Sequence, residues 1–312
     1  MTTAAATARP ALGTAFGAGL WRLADPKISL ASMASMALAV AAAARDGPLA
    51  WGWLAVTVCG IFSIEVAKNA SGEVFDFDSG ADLAVAPQDR SPFSGGKHVL
   101  VDRLLTRRQT IGIAIVAYVL GASAGLVIAA AREPRVLWLG LGGMALALFY
   151  HAPPLRLSYR GLGEAAVAVS YGPLICAGTY LVQRGRISPE VLLLSLPLGA
   201  LIAAFLLINE FPDAAADRGA GKRTLVVRLG RALAARLYVV IVAAAFMGLA
   251  LLPLVGLPRG VLLGLVAAPL GARAALRLLR EPDVTARIVP AQAWTLACFV
   301  LMAAGAALGL LL

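Results

Sequence analysis

Charge is the scarcest property of this chain. Of its 312 residues only 14% are charged, against about 25% in an average soluble protein. Hydrophobic residues make up 60% of the sequence, and the mean hydropathy is +0.83. So little polar surface excludes a soluble globule, a disordered chain, collagen and a coiled coil. Histidine is nearly missing. With His98 and His151 alone, a histidine-rich metal centre is excluded. Three cysteines, Cys59, Cys176 and Cys298, lie singly in apolar runs, which leaves neither a disulfide framework nor a CxxC metal site. No long apolar run precedes residue 28, and no clear cleavage site follows the early Arg9, so a secretory signal is not expected.

What is abundant is apolar sequence in lengths that cross a bilayer. About 20 apolar residues span the hydrocarbon core as a helix. Nine such stretches are expected at 28–44, 49–72, 109–131, 136–151, 162–183, 188–211, 233–255, 257–279 and 288–312. The predicted fold is all-α: a polytopic membrane bundle of nine transmembrane helices, forming one domain over 1–312. Small residues, as in Gly121-Ala-Ser-Ala-Gly125, let helix backbones approach where lipid offers no hydrophobic drive between them. Residues 1–27 are expected to be a tail or an interfacial helix, with Phe16, Leu20, Trp21 and Leu23 on the apolar side of 14–24. Nine spans place the termini on opposite sides. The N-terminal side then carries 21 of the 27 Lys and Arg residues and the far side 6. The positive-inside rule puts the N-terminus and the long loops, 76–108 and 212–232, in the cytoplasm, as caps over one end of a bundle in the cytoplasmic (inner) membrane. The net charge of +10 is mostly this topology. The expected surroundings are membrane lipid, and no nucleic acid partner is needed.

The acidic residues are gathered where they are expensive. A carboxylate at the centre of a membrane helix costs roughly 2.5–3.5 kcal/mol on insertion scales. Yet seven acidic residues fall between Glu65 and Asp102, and Glu210, Asp213 and Asp217 make a second group. Asn209, Asp213 and Asp217 are spaced by four, so each is turned only about 40° from the last on a helix. Pro212 is expected to loosen that helix. In the first group Asn69, Glu73 and Asp76 share a face, and Gly80 is expected to end the helix and turn Asp82 back toward it. Two clusters of hard oxygen ligands suit Mg²⁺. Arg90 and Lys97 follow the first cluster, and Arg218, Lys222 and Arg223 the second. Acid, metal and base together describe a diphosphate site, in which Mg²⁺ joins carboxylate to diphosphate and the basic residues neutralise the remaining oxygens.

At these residues the chain resembles the UbiA superfamily of intramembrane prenyltransferases. The carriers are Asn209-x-x-x-Asp213-x-x-x-Asp217, then Gly221-Lys-Arg-Thr-Leu225 and Val227-Arg-Leu-Gly230. The run from Phe149-Tyr150-His-Ala-Pro-Pro-Leu-Arg156 to Tyr159-Arg160-Gly-Leu-Gly163-Glu164 is similar to the menaquinone branch, which prenylates 1,4-dihydroxy-2-naphthoate, as is Arg90-Ser-Pro-Phe-Ser-Gly-Gly-Lys97. The first motif departs from the branch pattern Asn-Asp-x-x-Asp: Gly72 stands at the asparagine and Glu73 at the next aspartate. The resemblance implies transfer of a prenyl group from a polyprenyl diphosphate to a small aromatic acceptor. Its implied metal ligands are Asp76, Asp82, Asn209, Asp213 and Asp217, with Asn69 and Glu73 as candidates in the altered motif. Asp76 and Asp213 would serve catalysis, and Arg90, Lys97, Arg156, Lys222 and Arg223 would hold diphosphate. Tyr150 falls where the family carries a tyrosine near the allylic carbon, so its ring would face the developing cation.

Two other readings compete. A terpene cyclase of the same superfamily, or a prenyltransferase with a non-aromatic acceptor, would ionise the same donor. A cation or lipid transporter would bind without releasing diphosphate.

Overall fold

The computed structural model describes residues 12–94 and 96–312. The described residues form twelve α-helices: α1 Leu12–Ala24, α2 Pro26–Arg45, α3 Trp51–Asp78, α4 Arg107–Ala131, α5 Val136–Phe149, α6 Gly163–Val169, α7 Ile175–Arg184, α8 Pro189–Gly219, α9 Leu225–Leu229, α10 Arg231–Leu251, α11 Ala268–Arg280 and α12 Thr285–Leu311. No strand is found among the described residues. Eight helical segments are long and apolar enough to cross a membrane, and α5 is a shorter apolar helix. Four of the eight are composite: Ala15–Arg45 joins α1 to α2, Arg231–Val255 joins α10 to a 3₁₀ turn, and two others are irregular inside the span. In Gly163–Arg184, α6 and α7 meet at a kink where Pro173 removes an amide donor and Gly172 leaves helical geometry. Arg259–Arg280 begins as a tight 3₁₀ stretch over Arg259–Ala267 before α11.

The central element is α8, most of whose side chains from Val191 to Asp217 are buried. Leu198, Leu201, Ile208 and Phe211 of α8 pack with Leu38 of α2, Tyr238 of α10 and Phe299 of α12 in one continuous core. Inside it the hydroxyls of Tyr238 and Thr295 lie 2.6 Å apart, so the polar tip of a buried tyrosine is satisfied between helices. Helices α3 and α4 pack through small residues, with Ala67 and Ala70 opposite Ala114 and Ala117. Pro212 does not open α8, contrary to expectation. The helix runs through it to Gly219, so the 212–232 cap begins as helix and is loop only around 220–224. By contrast 76–108 is largely loop, with 3₁₀ turns at Asp82–Ala84 and Pro87–Asp89.

The end of the bundle away from the acidic clusters has six arginines, and five are tied down locally. Arg132 donates to the carbonyls of Val182 and Gln183, at 2.9 Å each. Arg184 holds the carbonyls of Ala43 and Gly47. Arg45 pairs with Glu190, Arg135 with Glu133 and Arg186 with Asp46. The Arg132 and Arg184 guanidiniums thus satisfy carbonyls in the last turns of α7 and α2. Trp51 and Trp138, at the starts of α3 and α5, are exposed at the same end, as expected of an interfacial aromatic belt.

The tightest helix contact joins α12 to the 3₁₀ stretch. A Cβ placed on Gly309 would lie 1.8 Å from the Gly260 carbonyl oxygen, and backbone cannot rotate away as a side chain does. Gly309→Val should therefore force the two segments apart and cost on the order of 1–3 kcal/mol or more. Thermal unfolding in detergent checks this: the midpoint should fall by several degrees, and an unchanged midpoint would refute the contact.

Candidate active site

The acidic end of the bundle gathers side chains from four separate segments. Asp76 comes from the last turn of α3, Asp82 from the turn beyond Gly80, Asn209, Asp213 and Asp217 from α8, and Lys222 from the loop after α8. The Lys222 ammonium lies between two of the carboxylates, 3.1 Å from Asp76 Oδ2 and 3.6 Å from Asp217 Oδ1. The other oxygen of Asp76 accepts a 2.6 Å hydrogen bond from the Tyr159 hydroxyl. Tyr159 is fixed by its own backbone, whose carbonyl accepts from Arg223 N–H at 3.0 Å. The Arg156 guanidinium stacks on its ring with 3.9 Å to the centroid.

Burial and mutual repulsion set the charge states here. Burial, and then the charges of Asp76, Glu73 and Asp213, push the Asp82 carboxyl up to about 9. One Asp82 oxygen is buried with no partner, and so is the side-chain oxygen of Asn209. Burial pulls Lys222 down, but Asp76 and Asp217 outweigh it and hold the ammonium well above its ordinary range. Among the described residues no three acidic or histidine side chains converge closely enough to hold a metal ion as they stand. Their chemistry nevertheless fits a hard cation. The donors are oxygens, two of them buried and unpartnered, and Lys222 occupies the space between α3 and α8 as a monovalent stand-in.

Not every residue expected at this point is brought to it. Asn69 donates its amide to the Leu23 carbonyl at the end of α1, at 2.8 Å. Glu73 accepts from the backbone N–H of Lys97 at 2.9 Å and of Leu100 at 3.0 Å, one on each oxygen. The two residues tie α1 and the 97–100 loop onto α3, which the spacing along one helix face did not reveal. The Lys97 ammonium pairs with Asp25. Arg90 is exposed on the cap, near enough to His98 to affect its charge, and Arg223 is exposed beside Lys222 and Arg228.

The unusual Gly72 has a spatial reason. A Cβ there would lie 2.5 Å from His151 Cε1, so the missing side chain is what admits the imidazole against α3. His151 Nε2 is 3.7 Å from Asp76 Oδ2. Burial pulls His151 down to about 4 despite Asp76, so the ring is neutral at pH 7. Its other face meets Tyr150 edge-on, with the ring centroids 4.7 Å apart. Tyr150 in turn lines an apolar chamber of about 430 Å³ among α3, α4, α5 and the α6–α7 kink, with walls such as Ile61, Ile64, Leu139 and Leu174. The acidic cluster thus leads through His151 and Tyr150 into an apolar cavity. Neither the part played by Tyr159 nor the Gly72–His151 fit is legible in the sequence, although Tyr159 lies inside the motif that runs from Phe149 to Glu164.

The model of the UbiA prenyltransferase family matches residues 32–296. The chain belongs to that family. Among curated UbiA relatives, the 1,4-dihydroxy-2-naphthoate octaprenyltransferase of Mycobacterium tuberculosis is 36% identical over 181 residues, 58% of this chain and 61% of the relative. The enzyme of the same name from Bacillus subtilis is 27% identical over 54% of this chain and 51% of its own length. The chain thus spans less than two thirds of these two relatives. That of Escherichia coli is 30% identical over 237 residues, 75% of each chain. Two solved structures share the fold. A digeranylgeranylglyceryl phosphate synthase superposes with a TM-score of 0.65 at 14% identity, covering 94% of this chain and 98% of that one. A UbiA homolog from Archaeoglobus fulgidus bound to GPP and Mg²⁺ gives 0.60 at 13% identity, covering 92% and 99%.

Within this UbiA bundle the Glu73 carboxylate is the anchor of the cap. Glu73→Ala should strand the backbone N–H groups of Lys97 and Leu100, and the buried one of Leu100 alone costs about 1–3 kcal/mol. The 90–105 loop should then be cut several-fold faster by protease in the folded protein. An unchanged cleavage rate would show that Glu73 does not hold the loop.

Proposed function

We propose that this protein is a Mg²⁺-dependent prenyltransferase that moves a prenyl group from a polyprenyl diphosphate to a small aromatic acceptor of the quinone-precursor kind. The observation that carries the reading is the junction described above. A buried cluster of carboxylates, Lys222 and Tyr159 meets an apolar chamber at Tyr150. A diphosphate needs the first and a prenyl chain the second, and Tyr150 marks where the carbon bearing the diphosphate would lie. The names of the mycobacterial and Escherichia coli relatives support an acceptor like 1,4-dihydroxy-2-naphthoate.

Asp76, Asp82, Asn209, Asp213 and Asp217 would hold the metal, with Asp76 and Asp213 nearest the chemistry. Bound Mg²⁺ supplies charge neutralisation to the leaving diphosphate. Lys222, Arg223 and Arg156 surround the same oxygens with positive charge. Lys97 reaches them only when its pair with Asp25 opens, and Arg90 acts from the cap. Asn69 and Glu73 support the site by holding α1 and the cap to α3. In the reaction the C1–O bond of the donor breaks, and its electron pair leaves with diphosphate. The Tyr150 ring faces the allylic cation, the acceptor ring forms the new C–C bond, and that ring carbon loses its proton. The apolar walls exclude water, which would otherwise capture the cation. The charge asymmetry of the loops supports a cytoplasmic-membrane protein with its N-terminus, the 76–108 cap and the 212–232 cap on the cytoplasmic side, and the whole of 1–312 acts as one unit.

Diphosphate release is the decisive measurement, since a transporter would release none. Purified protein given a prenyl diphosphate, acceptor and Mg²⁺ should release it, and EDTA should stop it. Asp213→Ala and Asp217→Ala should each lower turnover at least about 100-fold, the usual cost of losing a group that stabilises transition-state charge. Turnover that survives EDTA, or near-normal turnover in both variants, would refute the metal-dependent reading.

A further inference from the structure

Two charged residues of α3, one buried and one half-buried, take no part in this reaction scheme. Glu65 and Lys68 lie three apart on α3, on one face, and both line the chamber. Glu65 is 5% exposed, and both of its oxygens are buried with no hydrogen-bond partner. Hydroxyls of Ser29, Ser32 and Tyr171 surround it without closing a normal hydrogen bond. Ser29 and Ser32 give theirs to the carbonyls of Ala24 and Ser29 instead. Among the described residues the Lys68 ammonium has neither an ion pair nor an acceptor. The Tyr150 ring lies 5.9 Å from its Nζ, measured to the centroid.

A carboxylate whose neighbouring hydroxyls close no hydrogen bond to it, and an ammonium without an acceptor, are both costly inside a membrane bundle. Such groups are ordinarily satisfied in native proteins. Here they face the same cavity, next to the tyrosine that joins it to the acidic cluster. Resting on the prenyltransferase reading, we propose that Glu65 and Lys68 form the head-group subsite of the acceptor. The acceptor it selects is an aromatic ring bearing an anionic group, such as a carboxylate, and a hydroxyl. Lys68 pairs with the anion, Glu65 accepts the hydroxyl hydrogen bond, and Tyr150 and Tyr171 lie along the ring. An acceptor held there presents its ring beside Tyr150, where the prenyl C1 arrives. A cyclase without an acceptor has no use for this pair.

The test uses the full chain in nanodiscs with Mg²⁺, geranyl diphosphate and two acceptor probes. One is 1,4-dihydroxy-2-naphthoate, and the other is 1,4-naphthalenediol, which has the same ring and hydroxyls without the carboxylate. Wild type should prefer the naphthoate by at least about 10-fold in kcat/KM. Lys68→Met should raise KM for the naphthoate about 30-fold or more, the scale expected when a buried charge partner is removed, and for the diol less than about threefold. Glu65→Gln should raise KM for both probes, since both carry hydroxyls. A thermal shift with geranyl diphosphate and Mg²⁺ reads the donor site separately in every variant. Loss of that shift and of diphosphate release in wild type would refute the prenyltransferase reading itself. With donor binding intact, three outcomes overturn the subsite alone. These are a wild type that shows no preference for the naphthoate or accepts neither probe, a Lys68→Met variant that affects both probes equally, and one that affects neither. Should Lys68→Met fail to fold, Lys68→Arg replaces it. That variant should keep the naphthoate preference, and its loss would count against the pair.

Discussion

The Lys222 ammonium between Asp76 and Asp217 is the contact on which the polar end of this bundle depends. It joins the last turn of α3 to the last turns of α8, two helices far apart in the chain. Buried carboxylates on separate helices repel one another, and in low dielectric that repulsion would push the helix ends apart. One cation between them turns the repulsion into a link. Tyr159 completes it by taking the second oxygen of Asp76. The pair is therefore both a structural clasp and the charge pattern a metal–diphosphate complex would meet.

The cap follows from the same economy of buried charge. Glu73 cannot leave its two oxygens bare, and the backbone N–H groups of Lys97 and Leu100 supply what they need. Asn69 likewise fastens the end of α1, and Lys97 finds Asp25 at the α1–α2 bend. Leu23, Val99, Leu100 and Leu105 then pack over Ala70 and Val74 in a small apolar cluster. A loop rich in glycine and proline is thereby held over the acidic residues by these polar ties and one apolar patch. At the opposite end arginines do comparable work on helix carbonyls.

Gly72 shows how a departure from a motif can be answered in space. The sequence places glycine where the branch pattern has asparagine. In the folded chain the vacated volume holds the His151 ring, delivered from 79 residues away in sequence. That ring touches Asp76 on one side and Tyr150 on the other. It thus becomes the wall between the charged cluster and the chamber.

The sequence alone determined the solvent class, the number of apolar passes and the presence of two acidic motifs with basic residues beyond them. These are properties of composition and of spacing along one helix, set by bilayer thickness and by 3.6 residues per turn. It also carried the family, through motifs that lie within single segments. The assignment of partners was decided only by tertiary structure. Asn69 and Glu73 share a helix face with Asp76, so their spacing made them equal candidates. Which carboxylate meets an ammonium and which meets a backbone amide depends on what the cap and α8 bring to that face. Glu65 is one of the seven acidic residues of the first group, and nothing in the sequence sets Lys68 apart. Only the packing of α3 against α2, α5 and the α6–α7 kink shows that both line one cavity, where among the described residues neither closes an ion pair or a hydrogen bond. A buried charge is defined by its neighbours in space, and a single helix does not contain them.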